Sequence, residues 1–202
     1  MKKRYFISIL LFVLFLGVLL LVLTNKIEFF DTFVYEKIFS LRSDFFDSFF
    51  KILTFFGNTF TVIVLLLLFL FLLSKKDKIL LGSTVVLTVG INQLLKHLIE
   101  RPRPDHLRLI EEKGYSFPSG HAMIAIALYG TLFYLVYQKV SNKYLKIGLM
   151  IFLIFLMIGI GCSRIYLGVH YPSDILGGYL LALVILILCI DQIGKTFKEE
   201  EK

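Results

Sequence analysis

The sequence predicts an all-α protein, an integral membrane bundle of six transmembrane helices with short amphipathic helices at one interface. Three observations carry that expectation. Hydrophobic residues fill 57% of the 202 positions and mean hydropathy is +0.82, whereas soluble domains average about 45–50% apolar. Several apolar runs approach the roughly 20 residues that cross a hydrocarbon core. Lysine and arginine gather between those runs rather than within them, the pattern that membrane insertion leaves. A backbone in lipid must satisfy its own hydrogen bonds, so the runs are read as helices.

In chain order the spans are expected at about 5–23, 57–74, 79–98, 120–137, 147–164 and 175–193, within one domain covering 1–202. The first run follows Lys2, Lys3 and Arg4. It is longer than the core of a signal peptide, and no small-x-small cleavage site follows at Thr24–Lys26, so it reads as an uncleaved span. In residues 27–56, Phe29, Phe33, Leu41, Phe45, Phe49 and Leu53 recur at steps of four or eight. Asp31, Glu36, Arg42, Asp44, Asp47 and Lys51 fall mostly between them. That pattern suits amphipathic helices in the interface, either as a linker packed on the bundle or as a guide for a lipid tail. The loop Ile99–Phe117 carries Arg101-Pro102-Arg103-Pro104, which must be extended because each proline disfavours helix at the residue before it.

Charge sets the expected orientation. Lys2, Lys3 and Arg4 precede span one; Lys75, Lys76 and Lys78 separate spans two and three. Lys139, Lys143 and Lys146 separate spans four and five, and Lys195, Lys198 and Lys202 follow span six. Six crossings put all four clusters on one face, which the positive-inside rule makes cytoplasmic, with both termini inside. The net charge of +7 therefore points to membrane lipids and not to nucleic acid. Cys162 and Cys189 sit in separate apolar runs, predicted near opposite faces, which argues against a disulfide.

The same topology gathers the chemistry-bearing residues at the other face. Lys96, Arg103 and Arg164 are three cations near one end of the bundle, and like charges there imply an anion between them. Pro118-Ser119-Gly120 opens span four and presents a helix N-terminus, a ready phosphate site. His121, His170 and Asp174 complete the set. No Asp, Glu or His cluster has metal-ligand spacing, so neither a metal nor another cofactor is expected, and side chains must neutralise the anion. A phosphate ester is the simplest chemistry that fits.

Three stretches, 96–104, 118–121 and 163–174, carry Lys-x6-Arg-Pro, Pro-Ser-Gly-His and Ser-Arg-x5-His-x3-Asp. This chain resembles the type 2 phosphatidic acid phosphatase family in all three, in order and spacing. The resemblance implies that His170 is a nucleophile forming a phosphohistidine, that Asp174 orients it, and that His121 protonates the leaving oxygen. Lys96, Arg103, Ser119, Gly120 and Arg164 then form the phosphate cradle. It implies a multi-pass protein of the bacterial cytoplasmic membrane with its site on the extracytoplasmic side, acting on a lipid phosphate or diphosphate. Undecaprenyl diphosphate is the first candidate, with Arg101, Arg108 and Lys113 as extra charge for a second phosphate; phosphatidylglycerophosphate or phosphatidic acid is the second. A lipid phosphotransferase and an anion transporter are the rivals from other classes. No obligate protein partner is evident.

Several polar residues carry blander expectations. His97 and His106 are read as interfacial bystanders, Tyr166 and Tyr171 as aromatic-belt residues, and Glu111 and Glu112 as solvated loop charges. Gly177-Gly178 is read as permitting close helix packing. Ser163 is expected at most to hydrogen-bond the cradle.

Overall fold

A computed structural model describes residues 2–105 and 107–199. His106 and Lys202, both assigned places above, lie outside the described residues. Among those described, all regular secondary structure is helical: α1 (Lys2–Leu23), α2 (Glu28–Phe39), α3 (Asp44–Phe55), α4 (Thr59–Leu72), α5 (Lys75–Ile99), α6 (Gly120–Ala125), α7 (Thr131–Lys139), α8 (Lys143–Tyr166) and α9 (Pro172–Glu199), with a π-helical turn, Ile126–Gly130, joining α6 to α7.

The helix starts follow local chemistry. Ser43, Asn58, Ser74 and Asn142 precede α3, α4, α5 and α8, and each side chain accepts a hydrogen bond from a backbone N–H in the first turn, satisfying a donor that the helix leaves free. Five segments are long and apolar enough to cross a membrane: α1, α5, the continuous run Gly120–Lys139, α8 and α9. The region expected to supply span two differs. Asn58 starts a new helix, so α4 has 14 residues and reaches only about 21 Å, short of the ~30 Å hydrocarbon core. A sixth crossing requires α3 and α4 together, and these meet at a 46° bend.

Gly120–Lys139 and α9 are the inner helices, 67% and 61% buried along their apolar windows, against 22–33% for α1, α5 and α8. The outer helices therefore turn most of their apolar surface to lipid. One core cluster joins α3, α8 and the inner run through Phe50, Leu53, Leu128, Tyr129, Leu156 and Ile160. A second joins α1 and α9 through Phe15, Val18, Leu181, Ala182 and Ile185.

The basic clusters meet at one end of the bundle. Lys139 pairs with Asp77, Lys195 lies 2.9 Å from Asp191 and 2.5 Å from the Tyr5 hydroxyl, and Lys76 stands over the Phe197 ring. The motif residues lie at the opposite end. The interfacial pattern expected for 27–56 holds for α3, which buries Phe50 and Leu53. It inverts in α2, whose buried residue is Asp31, while Phe29 and Phe33 face outward.

Candidate active site

The end of α5, the loop after it, the start of α6 and the turn between α8 and α9 build the motif end. Glu100 ends α5 in the left-handed region (φ 51°). The irregular segment Arg101–Asp105 follows, and the Ser116 N–H donates to the Arg101 carbonyl at 2.8 Å. α6 starts at Gly120, held against α5 by Asn92, whose amide donates to the Pro118 carbonyl at 2.9 Å. Between α8 and α9 the chain turns at Gly168, where φ is +76° and a Cβ would lie 2.7 Å from the Leu107 carbonyl oxygen, so glycine is required there. The Val169 and His170 N–H groups both donate to the Arg164 carbonyl, at 3.2 and 3.3 Å, fixing His170 beside the end of α8.

His170 and Asp174 lie one helical turn apart, and the His170 Nδ1 donates to Asp174 Oδ2 at 3.2 Å. Asp174 has no exposed surface, yet its carboxylate is fully used. Oδ2 also accepts from the Ser116 hydroxyl and from the Tyr171 N–H (2.8 Å), and Oδ1 accepts from Arg101 at 2.6 Å. With Nδ1–H committed to Asp174, the other ring nitrogen carries the lone pair. That nitrogen, Nε2, lies 3.2 Å from an Arg103 guanidinium nitrogen. Burial lowers the His170 pKa to about 4, against the opposing pull of Asp174.

The three motif cations all lie at this end, each held by its own partners. Arg103 is held by the Gly114, Lys113 and Val169 carbonyls at 2.8–2.9 Å. Arg164, 1% exposed, donates to Thr54 at 2.7 Å and pairs with Glu112. Lys96 donates to the Tyr115 carbonyl. His121 lies within electrostatic reach of Arg164, His170, Arg103 and Lys96, and its ring packs against Gly57, where an added Cβ would come within 3.0 Å of it. The Ser119 Oγ and Arg164 Nε are buried without a protein partner, two donors of the kind that an oxyanion satisfies.

Glu112 was expected to be a solvated loop charge, and the structure corrects this. Its carboxylate pairs with Arg164 through one oxygen and lies 4.0 Å from Arg103 through the other. The carboxylate therefore lies between the two guanidiniums.

Other expectations shift as well. Arg101 is not spare charge for a second phosphate, because both arms of its guanidinium are bound to carboxylates, Asp31 at 2.8 Å and Asp174 at 2.6 Å. Arg108 donates to the Pro104 carbonyl. The Ser163 hydroxyl donates to the Ile160 carbonyl of its own helix at 2.6 Å and so does not serve the cradle. Tyr166 is a core residue, 1% exposed, packed on Phe50 and bonded to Asp47 at 2.5 Å. Tyr171 stacks under Arg101, 4.0 Å from the ring centroid. Gly120 is where α5 comes close, since a Cβ would lie 3.2 Å from Asn92 Oδ1. Gly177 and Gly178 do permit close packing, against the Phe117 ring and the Ser119 carbonyl.

Sequence reasoning missed Asp31, Asn92, Ser116 and the structural use of Arg101. A signal existed for two of them: Asp31 breaks an aromatic run, and Arg101 sits two residues before a motif arginine. Among the described residues no group of three or more His, Cys, Asp or Glu is arranged to hold a metal ion.

Residues 77–198, more than half of the chain and all three motifs, match the PAP2 superfamily. The chain belongs to this superfamily. Phosphatidylglycerophosphatase B of Bacillus subtilis (strain 168) is 36% identical over 129 residues, 59% of this chain. The match spans 62% of that protein's length, less than two thirds. An undecaprenyl-diphosphatase of Sulfolobus acidocaldarius is 28% identical over 97% of this chain and 94% of its own length. The crystal structure of the first transmembrane PAP2-type phosphatidylglycerolphosphate phosphatase from Bacillus subtilis superposes with a TM-score of 0.83 at 28% identity, over 96% of this chain and 97% of that one. As a PAP2 protein, the chain has the all-helical membrane fold expected of it.

Proposed function

We propose that this protein is a membrane lipid phosphatase that removes phosphate from a lipid phosphate or diphosphate through a phosphohistidine intermediate. One observation carries the reading: Arg103 and Arg164 converge on a carboxylate from Glu112, and the Arg103 guanidinium also meets Nε2 of His170, whose Nδ1 is backed by Asp174. A phosphate that displaces Glu112 and engages Arg103 lies beside that lone pair. His170 Nε2 attacks phosphorus, the bond to the leaving oxygen breaks, and His121 donates the proton that oxygen needs. Water, giving its proton back to His121, then cleaves the phosphorus–nitrogen bond, releasing inorganic phosphate and restoring His170. Lys96, Arg103, Arg164 and the Ser119–Gly120 turn stabilise charge on the three equatorial oxygens throughout. Side-chain cations fill the electrostatic role, so the reaction needs no divalent metal.

The distribution of lysine and arginine supports a six-crossing protein of the cytoplasmic membrane, with both termini inside and the site on the extracytoplasmic side. There it meets a lipid whose tail stays in the bilayer while its headgroup enters the loop end. Undecaprenyl diphosphate is the proposed substrate, in keeping with the near full-length similarity to an undecaprenyl-diphosphatase. The commitment of Arg101 to Asp31 and Asp174 removes one argument for a diphosphate. Similarity to the Bacillus phosphatidylglycerophosphatase favours phosphatidylglycerophosphate as the second reading.

The test compares kcat/KM for the two lipids in one detergent with excess EDTA, which is expected to leave both rates unchanged. A preference for phosphatidylglycerophosphate above about tenfold, ~1.4 kcal/mol of transition-state binding, rules out the isoprenyl reading. Near-equal values identify a lipid phosphatase of broad range.

A further inference from the structure

α2 presents its phenylalanines outward, Phe29 at 85% and Phe33 at 52% exposure, and turns a carboxylate inward: Asp31 is 4% exposed. An ionised group in that position is costly unless it is paired and its lone pairs are filled. Asp31 meets that condition fully. Oδ1 accepts from the Ser173 N–H at 2.8 Å, while Oδ2 accepts from the Ser173 hydroxyl at 2.7 Å and from Arg101 at 2.8 Å. Ser173 belongs to the first turn of α9, so Asp31 supplies an acceptor to a helix N-terminus that would otherwise leave that donor free. The other arm of Arg101 donates to Asp174 Oδ1 at 2.6 Å and to the Ser173 hydroxyl at 2.8 Å. A continuous chain of charged and polar contacts thus runs from α2 through Asp31, Arg101 and Asp174 to His170 Nδ1. Tyr171, under the Arg101 guanidinium, holds it flat against the turn that bears His170.

We infer that Asp31 and Arg101 are positioning residues for the Asp174–His170 dyad, which makes the interfacial helix α2 part of the nucleophile's support. The inference rests on the phosphohistidine reading above. Arg101 is a fork whose two arms fix the distance between two buried carboxylates, and lysine has no such geometry. Asp31 keeps that fork from rotating away from Asp174. Neither residue reaches the Glu112 position between Arg103 and Arg164, so both act on the rate of attack and not on phosphate binding.

The experiment measures kcat, KM and the inhibition constant of inorganic phosphate for wild type and Asp31→Asn, after gel filtration in detergent has established a monodisperse protein. Asp31→Asn is expected to lower kcat about 10- to 100-fold, with KM and the phosphate inhibition constant within about twofold of wild type. If that variant does not fold, Arg101→Lys, which keeps the charge but loses the fork, carries the same expectation. Wild-type kcat retained within about twofold overturns the inference. So does a fall in kcat matched by an equal loss of phosphate binding, since that is general disruption of the site. Absence of phosphate release from wild type refutes the phosphatase reading itself, a result distinct from either.

Discussion

Glu112 holds the place between Arg103 and Arg164 that the proposed function assigns to a substrate phosphate. It comes from the loop after α5 and is 30% exposed, whereas Arg164 is almost fully buried. A free-standing buried guanidinium is unfavourable, so the Glu112 carboxylate offsets that cost, and on the proposed reading it leaves when phosphate arrives. The competition is measurable. Glu112→Gln removes the competing charge, and inorganic phosphate should then inhibit about fivefold more strongly, the ~1 kcal/mol of a partly exposed ion pair. Unchanged or weaker inhibition means that phosphate does not displace Glu112. At this scale the motif spacing located Lys96, Arg103, Arg164, His170 and Asp174, because each belongs to a short pattern with a chemical demand of its own. Glu112, Ser116 and Asp31 escaped because their roles come from residues 52, 58 and 70 positions away, which no local spacing records.

At the scale of elements, the site depends on how closely α9 approaches the turn before α6. A Cβ on Gly177 would lie 2.7 Å from two carbons of the Phe117 ring, which has no exposed surface. Phe117 leads directly into Pro118-Ser119. Gly177→Ala should therefore destabilise the protein by about 1–3 kcal/mol, as overpacking does, and should lower the melting temperature in detergent together with activity. Gly148, in the exposed part of α8 with nothing within 4 Å of an added Cβ, is the control: Gly148→Ala should be neutral or slightly stabilising. A melting temperature unchanged in Gly177→Ala would mean that the Phe117 contact is not tight. Hydropathy located the long helices well, since each is a continuous apolar run between basic clusters. It placed a single span at 57–74, whereas the Asn58 cap starts α4 at Thr59 and the helix ends at Leu72, too short to cross alone. It also misjudged α2, where aromatic periodicity marks the lipid-facing side and the inward side is defined by one carboxylate.

For the whole molecule, the basic clusters of α1, α5, α7 and α9 gather at one end and the motif residues at the other, the arrangement that charge distribution had implied. Which end faces the cytoplasm is a matter of insertion, and Lys113 and Lys143, both exposed and at opposite ends of the bundle, report it. Single cysteines at these positions, in a protein with Cys162→Ser and Cys189→Ser, should react differently with an impermeant thiol reagent added to whole cells. Position 113 should be modified and position 143 spared. The reverse would put the site in the cytoplasm. The proposed chemistry rests above all on His170 Nε2 as the atom that takes the phosphoryl group. Rapid quenching of the enzyme during turnover of a radiolabelled lipid phosphate, followed by peptide mapping under alkaline conditions, tests that directly. Label on the peptide carrying His170, absent from His170→Ala together with turnover, is the expected result; label on another residue, or near-normal turnover by His170→Ala, would contradict it.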